Sequence, residues 1–339
     1  MNRTEALETL QASAPWDVVV IGGGATGLGV ALDAATRGYR TALIEAHDFA
    51  HGTSSRSTKL IHGGVRYLRS GQIGLVRRSL HERALLRKNA PDLVTDLGFV
   101  IPAYAPFERL YYGTGLKLYD LLAGGGAPPS RLLTRDETLA RAPTVSARGL
   151  RGGVLYHDAQ FDDARLAIAI ARTAANAGAA VVNYVRAVSL LRSGGRIAGV
   201  RARDEETSRE FELRARVVIN ACGVFSDQIR HLDNPEAAPM LAPSQGAHLV
   251  LPGRFLPGGH ALMIPKTSDG RVLFAIPWLG RVLVGTTDTP VSAIDPEPRP
   301  FADEVKFLLE HAARYLSPAP TLADVVSMYA GLRPLVKSS

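Results

Sequence analysis

The sequence predicts an α/β protein in which a mostly parallel sheet is interleaved with a separate antiparallel sheet. A β-branched run from Asp17 to Ile21 leads into a glycine-rich turn, a helix-compatible run over Leu28–Arg37 and a short strand over Thr41–Ile44. Far along the chain, the apolar run Val217–Ala221 is typical of a further buried strand of that sheet. Strand patterns then recur, without helices between them, at 246–251, 271–276 and 281–286.

We therefore expect two discontinuous domains, one over 14–80 plus 150–235 and one over 81–149 plus 236–330. Thr134 and Glu137 form a capping-box pattern that opens a short helix, and Asp162 with Asp163 begins another that runs to about Ala177. The remaining predicted elements are strands at 179–185, 187–192, 197–202 and 325–330, helices from about 224 and over 302–315, and a proline-rich loop at 290–300.

Residues 73–89 are predicted to form an amphipathic helix. The expected apolar side consists of Ile73, Val76, Leu80 and Leu85. The residues between them supply a basic face: Arg77, Arg78, Arg83, Arg87 and Lys88. Such a face is usually solvated, but it could also meet a membrane or an acidic partner.

The composition is that of a globular protein, with 339 residues, 46% of them hydrophobic, and a net charge of +7. The Lys and Arg residues are spread out and do not alternate with aromatic residues, which argues against nucleic-acid binding. Cys222 is the only cysteine, so an intrachain disulfide is excluded, and no cluster of ligand residues predicts a metal site. With no apolar run of membrane-spanning length and no signal-peptide pattern, we expect a cytoplasmic protein with at most peripheral membrane contact.

The glycine-rich turn carries the spacing G-x-G-x-x-G at Gly22, Gly24 and Gly27, between a strand and a helix. In this context the first glycine permits a tight turn, the second lets a pyrophosphate approach the backbone, and the third lets the helix pack on the strand. The pyrophosphate would lie at the helix N-terminus, and Glu45, after the second strand, could accept hydrogen bonds from a ribose. This is a dinucleotide-binding fingerprint of the Rossmann-like type.

The fingerprint does not by itself distinguish NAD from FAD. Its position near the N-terminus, the turn Asn220–Gly223 after a buried strand, and the polar loop Gly52–Gly64 that could wrap an isoalloxazine ring favour FAD. An NAD-dependent dehydrogenase would need a discrete catalytic domain after the nucleotide fold, and none is evident.

Several ordered segments resemble the FAD-dependent glycerol-3-phosphate dehydrogenases, respiratory enzymes of the D-amino-acid-oxidase-like flavoprotein group. The segments are 22–27, 53–68, 162–166, 276–278, 285–288 and 331–335. The resemblance implies a Rossmann-like FAD-binding domain interleaved with an antiparallel-sheet substrate domain. It also implies oxidation of sn-glycerol 3-phosphate to dihydroxyacetone phosphate by hydride transfer from C2 to flavin N5. Quinone would then accept the electrons, with peripheral contact at the inner face of the cytoplasmic membrane.

The fingerprint and the resemblance together predict the cofactor site. Lys59, Ser54 and Ser55 are expected to position the flavin through hydrogen bonds. The full predicted set is Gly22, Gly24, Ala25, Thr26, Gly27, Glu45, Ala46, Thr53, Ser54, Ser55, Lys59, Leu60, His62, Gly63, Gly64, Val185, Ala221 and Gly223.

The substrate phosphate is a dianion that guanidinium groups bind well. The resemblance assigns this role to Arg66 and Arg333, with Tyr67 and Thr287 as hydroxyl donors, although both arginines could instead form structural ion pairs. The substrate C2 hydroxyl must lose a proton, and histidine suits that step. His62 and His248 are the two candidates; either could instead orient the substrate or the flavin.

The sequence departs from the family pattern after Arg333. Family members continue with a further strand bearing another arginine, a Gly-Gly-Lys segment that closes over the flavin, and a helical C-terminal domain. We therefore expect this chain by itself to be weakly active or inactive. Two other interpretations are an oxidase of the same group that acts on an amine or amino acid, and a FAD-binding fragment without activity.

Overall fold

The computed structural model describes residues 1–11, 14–124 and 128–337 and contains two sheets with helices packed around them. The strands are β1 Trp16–Ile21, β2 Thr41–Ile44, β3 Leu60–Ile61, β4 Val94–Ala103, β5 Arg131–Leu133, β6 Gly152–Phe161, β7 Ala180–Val182, β8 Val185–Ser193, β9 Arg196–Asp204, β10 Glu210–Asn220, β11 Ser244–Pro252, β12 Ala261–Ile264, β13 Leu273–Trp278, β14 Arg281–Gly285, β15 Thr289–Pro290 and β16 Ser327–Arg333. The helices are α1 Arg3–Leu10, α2 Ala25–Thr36, α3 Val65–Arg69, α4 Ile73–Asn89, α5 Glu108–Ala123, α6 Arg135–Arg141, α7 Asp163–Asn176, α8 Ser226–Asp233 and α9 Ala302–Tyr315.

The first sheet has the order β7-β2-β1-β10-β9-β8. Strands β7, β2, β1 and β10 run parallel, whereas β10, β9 and β8 form an antiparallel meander. The predicted run at Val217 therefore lies beside β1, with Val18 opposite Val217 in the register. Helices α2 and α7 pack together through small side chains such as Ala31 and Ala171, which lets the two helices approach closely.

The second sheet has the order β15-β11-β14-β13-β12-β4-β6-β3, with β16 paired to β11 and β5 to β6. Its strand pairs are antiparallel except for β12 with β4. Helix α9 covers it, and Val305 and Leu308 share a buried cluster with Ala247 and Leu249. The predicted α/β architecture with a parallel and an antiparallel sheet is thus confirmed.

Strands β4 and β6 pair with each other over ten residues, but the sequence patterns do not predict either strand. Gly98 and Pro102 interrupt the strand pattern of β4, and Gly152 and Gly153 begin β6, so local propensity hides both strands. Strands β3 and β6 also belong to the second sheet, although the predicted boundaries group residues 14–80 and 150–235 with the first.

Helix α4 has the predicted bounds but not the predicted faces. Val76 and Leu80 are buried as expected, whereas Ile73 and Leu85 are exposed. Arg83, assigned to the basic face, is instead buried and forms an ion pair with Asp158 of β6. The helix therefore buries a charge on the side that the sequence predicts to be apolar only.

We expect Gly27→Ala to destabilise the protein and Gly29→Ala, in the same helix, to leave it unchanged or slightly stabilised. A Cβ at Gly27 would overlap the carbonyl oxygen of Gly22, whereas a Cβ at Gly29 meets nothing. Overpacking of this kind costs roughly 1–3 kcal/mol, and Gly to Ala inside a helix gains about 0.5–1 kcal/mol. Urea unfolding of both variants measures the difference, and equal free energies of unfolding would contradict the close approach.

Candidate functional site

The three fingerprint glycines bring the ends of β1, α2 and β10 into contact. Gly22 has φ +114°, and a Cβ there would lie 2.5 Å from the carbonyl oxygen of Ala221. Gly27 has no room for a side chain against Gly22. Gly223, with φ +56°, then turns the chain away from the end of β10. The first and third glycines thus take the turn and packing roles that the spacing predicts.

The N-terminus of α2 is open to an anion. Gly24 is its N-cap and provides no side-chain cap, and Ala25 and Thr26 are exposed. The Ala25 N–H donates to the Ser54 hydroxyl at 2.9 Å. That hydroxyl can still donate its own proton, and the helix dipole favours negative charge here. The residues therefore fit a pyrophosphate at this position.

Glu45 is held rigidly just beyond β2. Its Oε2 accepts from the Gly23 N–H at 2.6 Å and its Oε1 from the His47 N–H at 2.8 Å. Each carboxylate oxygen keeps a further lone pair, so the group fits a ribose diol. The buried Val185, also predicted at the cofactor site, donates its N–H to the Glu45 carbonyl oxygen at 2.7 Å. This bond fixes the main chain at Glu45 and at the predicted cofactor residue Ala46, which follows it.

Asp163, at the start of α7, fixes the loop that carries the predicted flavin contacts. Its Oδ2 accepts from the Ser57 hydroxyl at 2.7 Å, and its Oδ1 accepts from Lys59 Nζ at 2.7 Å. Lys59 Nζ also donates to the Ser55 carbonyl oxygen at 2.6 Å. Two of the three Lys59 donors are thus used inside the protein, so the ammonium holds the loop in place. Its predicted hydrogen bond to the flavin stays a prediction. Sequence reasoning did not assign Asp163 to the site.

The same loop joins the two sheets. Thr53 donates its hydroxyl to the Leu332 carbonyl oxygen of β16 at 2.5 Å, and the Tyr329 hydroxyl of β16 donates to the Ser57 carbonyl oxygen at 2.8 Å. Leu60, the next predicted contact, pairs with Gln160 at the edge of the second sheet. The predicted cofactor residues of this segment therefore lie between the fingerprint turn and β16.

His248 of β11 is buried in this junction, with 3% of its surface exposed. Its Nε2 lies 2.8 Å from the Thr58 hydroxyl, and its ring stacks on Tyr329 with centroids 4.7 Å apart. Burial first, and then the positive charges of Arg333 and Lys59, lower the pKa of His248 to about 3. A histidine that stays neutral at such low pH is a weak general base, so the structure argues against that predicted role.

His248 nevertheless has one buried nitrogen that could bind a ligand. Its Nδ1 has no hydrogen-bond partner among the described residues. A neutral imidazole carries one donor and one acceptor nitrogen, and an unsatisfied buried one is costly. A bound ligand that reaches this nitrogen would satisfy it, which fits an orienting role.

His62 is exposed and directly follows β3, with its ring centroid 6.3 Å from that of Phe274. The adjacent Gly63 and Gly64 are buried. Because His62 is accessible and His248 is not, His62 is the better placed of the two predicted bases.

A buried hydrogen-bond network that the sequence did not predict contacts the main chain next to His62. The Gly63 N–H donates to the Tyr119 hydroxyl of α5 at 2.7 Å, and that hydroxyl donates to Asp158 at 2.8 Å. Arg83 of α4 pairs with the same carboxylate. Burial raises the pKa of Asp158, and the Arg83 guanidinium opposes that shift. The network fixes the backbone beside His62.

Arg333, at the end of β16, borders the same junction and is near enough to His248 for its charge to lower the pKa of that histidine. Its Nη2 donates to the Thr287 carbonyl oxygen at 2.9 Å and to the Thr286 hydroxyl at 3.2 Å. Its Nη1 lies 3.1 Å from Asp288 Oδ1. Its Nη1 also donates to the Gln245 carbonyl oxygen at 3.4 Å. These neighbours orient the guanidinium, and about one third of the side chain is exposed to solvent.

The hydroxyl of Thr287 points inward, contrary to its predicted role as a substrate donor. It donates to Glu304 Oε1 at 2.7 Å and accepts from the Ala247 N–H at 2.8 Å, and the residue is 3% exposed. Glu304 of α9, which sequence reasoning missed, also accepts from Gln245 and Thr289 at 2.7 Å. Buried Glu304 therefore organises the strand ends behind Arg333.

The other two predicted phosphate residues belong to α3. The ring of Tyr67 packs over Gly64, where a Cβ would lie 2.5 Å from it. The side chain of Arg66 lies outside the described part of the structure, so its predicted role stays a prediction. Cys222 is partly buried and donates to the Ile21 carbonyl oxygen, and burial raises the pKa of its thiol to about 12, which agrees with an unreactive residue.

Comparisons with known proteins agree with this geometry. A family model described as "FAD dependent oxidoreductase" matches residues 17–339. The chain is 48% identical to the mitochondrial glycerol-3-phosphate dehydrogenase SDP6 of Arabidopsis thaliana over 97% of this chain and 54% of that protein. It is 44% identical to the mitochondrial glycerol-3-phosphate dehydrogenase of Homo sapiens over 99% of this chain and 48% of that protein.

A solved structure is also similar over almost the whole chain. It is the glycerol-3-phosphate dehydrogenase from Bacillus halodurans complexed with FAD, with a TM-score of 0.82, 34% identity, and coverage of 99% of this chain and 60% of that one. The chain thus spans about half the length of the curated relatives it matches. The matches confirm the predicted fold class, the resemblance to glycerol-3-phosphate dehydrogenases and FAD as the cofactor.

We expect the stability of the protein to fall with decreasing pH partly because of His248. Its folded pKa of about 3 lies below the unfolded value of 6.5, so between these values the unfolded state binds a proton that the folded state does not. From about pH 7 to about pH 5 this costs on the order of 2 kcal/mol. His248→Gln, which can keep the bond to Thr58, should reduce the decline in melting temperature, whereas the exposed His81→Gln should not. Equal declines in all three proteins would contradict the assignment.

Tyr119→Phe should destabilise the protein more than Tyr156→Phe. Both tyrosines are buried, but only Tyr119 joins Gly63 to Asp158; the Tyr156 hydroxyl contacts the Met263 sulfur at 3.4 Å. Leaving the buried Gly63 N–H unpaired and removing one of the donors to Asp158 costs roughly 1–3 kcal/mol, although Arg83 still pairs with that carboxylate. Loss of the thioether contact costs less than about 1 kcal/mol. Free energies of unfolding in urea test this. Similar losses in the two variants would show that the network does not support the His62 segment.

Proposed function

The chain belongs to the family of FAD-dependent oxidoreductases, and from this premise we propose that it oxidises sn-glycerol 3-phosphate to dihydroxyacetone phosphate. The observation that carries the proposal is the 44–48% identity, over 97–99% of the chain, to proteins named glycerol-3-phosphate dehydrogenase. When bound, FAD would supply the acceptor, at its N5 atom, for the hydride from substrate C2. The residues of this chain bind the cofactor, hold the substrate and move its hydroxyl proton.

The cofactor would be held at the edge of the first sheet. The N-terminus of α2, with Ser54 beside it, suits the pyrophosphate, and Glu45 suits the ribose. The loop fixed by Asp163 and Lys59 would border the flavin ring. Residues 14–80 with 150–235 would then provide most cofactor contacts, and residues 81–149 with 236–330 most substrate contacts.

Arg333 is proposed to bind the substrate phosphate. Its bonds to Thr286 and to the Thr287 carbonyl oxygen orient the guanidinium, and its exposed portion can form charge-assisted hydrogen bonds to a dianion. Asp288 offsets part of the arginine charge, so a second cation would strengthen the site. Arg66 is proposed for that role because it follows His62 closely in the same segment.

His62 is proposed as the group that takes the proton from the C2 hydroxyl. Its exposure leaves it accessible to a substrate, and the buried bond between Gly63 and Tyr119 fixes its backbone. His248, with its pKa lowered to about 3, is proposed to orient substrate or flavin through its Nδ1 instead.

Quinone is proposed as the electron acceptor, at the inner face of the cytoplasmic membrane. Within the described residues, no helix is long and apolar enough to cross a bilayer. Contact with a lipid-soluble acceptor would therefore be made by a surface of the protein.

Anaerobic addition of glycerol 3-phosphate to the FAD-reconstituted chain tests the proposal. Slow loss of the visible absorption of oxidised flavin is expected, because this chain by itself is expected to be weakly active, with no response to glycine or sarcosine. Arg333→Lys should raise the half-saturating substrate concentration roughly 10- to 100-fold, since a bidentate contact is lost. Arg254→Lys, which alters a pair with Asp324 on the surface, is the matched control and should change nothing.

Two results would overturn the proposal. Bleaching by an amine or amino acid in place of glycerol 3-phosphate would assign the chain to another oxidase of the group. A tightly bound flavin that no polyol phosphate reduces would indicate a FAD-binding protein without this activity.

A further inference from the structure

Arg333 lies where the ends of four strands of the second sheet meet. Ser244 begins β11 and lies opposite Arg333, the last residue of β16. Asp288 follows β14, and Arg271 precedes β13, the antiparallel partner of β14. The register of these two strands, continued beyond their ends, places Arg271 opposite Asp288. Two arginines and one aspartate therefore converge at this edge of the sheet.

The carboxylate of Asp288 bridges the two arginines. Its Oδ1 lies 3.1 Å from Arg333 Nη1 and also accepts a hydrogen bond from the Ser244 hydroxyl. Its Oδ2 lies 3.4 Å from Arg271 Nη1. Two guanidinium groups around one anionic group are also the arrangement that suits a bound phosphate. Because the Asp288 side chain is 42% exposed, a competing anion in solution can reach it.

The protein itself already uses most of the hydrogen-bonding capacity of Arg333. Nη1 donates to Asp288 and, at 3.4 Å, to the Gln245 carbonyl oxygen. Nη2 donates to the Thr287 carbonyl oxygen at 2.9 Å and to the Thr286 hydroxyl at 3.2 Å. These contacts engage all four N–H groups of the two Nη atoms. A bidentate contact to a phosphate needs at least one of the four, so one of these partners must leave before the contact can form.

Asp288 is the partner that a phosphate can replace. The Gln245 and Thr287 acceptors are main-chain carbonyl oxygens, and Gln245 is also fixed by the pairing of β11 with β16. The Asp288 carboxylate lies on a short side chain that can rotate, and it is the one charged group among these four acceptors. Because like charges repel, a phosphate dianion that approaches Arg333 also pushes this carboxylate away.

Arg271 provides a position for the displaced carboxylate. Its Nε donates to Asp269 Oδ2 at 2.9 Å, and its Nη2 pairs with the same oxygen. Its Nη1 lies on the other side, next to Asp288 Oδ2. Asp269 therefore fixes the Arg271 guanidinium while one of its nitrogens faces Asp288. A rotation of the Asp288 side chain would strengthen the contact with Arg271 as it releases Arg333.

We propose that Asp288 is an internal anion that occupies the phosphate position on Arg333 in the ligand-free protein and moves to Arg271 when the substrate phosphate binds. This deepens the proposed function and rests on it, because Arg333 is taken as the residue that binds the phosphate. The exchange imposes the same cost on every anion that binds at Arg333. Weakly held monoanions such as chloride are thereby excluded at ordinary salt concentrations, whereas a dianion with several acceptor oxygens still binds. Asp288 thus determines specificity by acting through Arg333.

Calorimetric titration of the FAD-reconstituted chain with dihydroxyacetone phosphate tests the proposal without turnover, because the reaction product does not reduce the flavin. Asp288→Asn keeps the shape of the side chain and removes its charge. The dissociation constant of dihydroxyacetone phosphate should therefore fall about two- to fivefold, the range expected for loss of an exposed ion pair. The dissociation constant of chloride, measured by competition, should fall by the same factor.

The matched control is Asp233→Asn, which removes a carboxylate that is 40% exposed and pairs with Arg192 on another surface. This variant should bind both anions like the wild type. Asp288→Ser, a second neutral substitution, should show the same gain as Asp288→Asn and provides the test if the amide perturbs the fold. Melting temperatures show which variants are folded.

Three results would overturn this inference and leave the proposed function in place. Weaker binding of dihydroxyacetone phosphate by the folded Asp288 variants would show that Asp288 only positions Arg333. Unchanged binding would show that no exchange occurs. A gain much larger for dihydroxyacetone phosphate than for chloride would indicate simple charge repulsion, which acts about twice as strongly, in free energy, on a dianion as on a monoanion. If dihydroxyacetone phosphate binds to none of these proteins, the phosphate site at Arg333 and the proposed function are overturned as well.

Discussion

The structure depends on a backbone contact with no room for a side chain. Gly22 lies against Ala221, and Gly27 lies against Gly22, so β1, α2 and β10 meet at one point. Gly22 and Ala221 are about 200 residues apart in the sequence. This contact fixes the start of α2, whose N-cap is Gly24, and it places Glu45 where it accepts a hydrogen bond from the Gly23 N–H. Anion-binding ability at this edge follows from the packing, since main-chain N–H groups and the dipole provide it.

Buried charges then connect this edge to the second sheet. Lys59 with Asp163 and Arg83 with Asp158 are largely buried ion pairs, and Glu304 is surrounded by hydroxyl and amide donors. Such groups are costly to bury and add little net stability compared with apolar residues. All three fix loops or strand ends around the proposed site, so their common effect is to hold His62, the 53–59 loop and the Arg333 surroundings in one geometry.

The sequence predicted what short-range patterns determine. The fingerprint turn, the helix at 73–89, the capping box at Thr134 and the strand at Val217 each depend on neighbours in the chain. The predicted burial of that strand is wrong at its start, because Val217 is 50% exposed. The errors concern partners far away in sequence. Arg83 reads as part of a basic face because its partner Asp158 lies 75 residues on, and Thr287 reads as a substrate donor because nothing local indicates that Glu304 takes its hydroxyl. For the same reason Asp163 looks like a helix-capping residue, although Asp162 performs the capping.

Helix α5 is not among the elements that the sequence predicts, and its apolar residues lie on both of its sides. The structure buries only half of it, against β4, β6 and α4. The proposed reaction offers a physical reason for the exposed apolar side of this helix. Its substrate is a dianion that stays in water, and its proposed acceptor stays in lipid, so the two must approach the flavin from different directions. In this proposal, helix α5 has Tyr119 on its buried side, next to the cofactor segment, and Leu118 on its exposed side. It would thereby separate the path of the acceptor from that of the substrate, which would bind at the partly exposed Arg333.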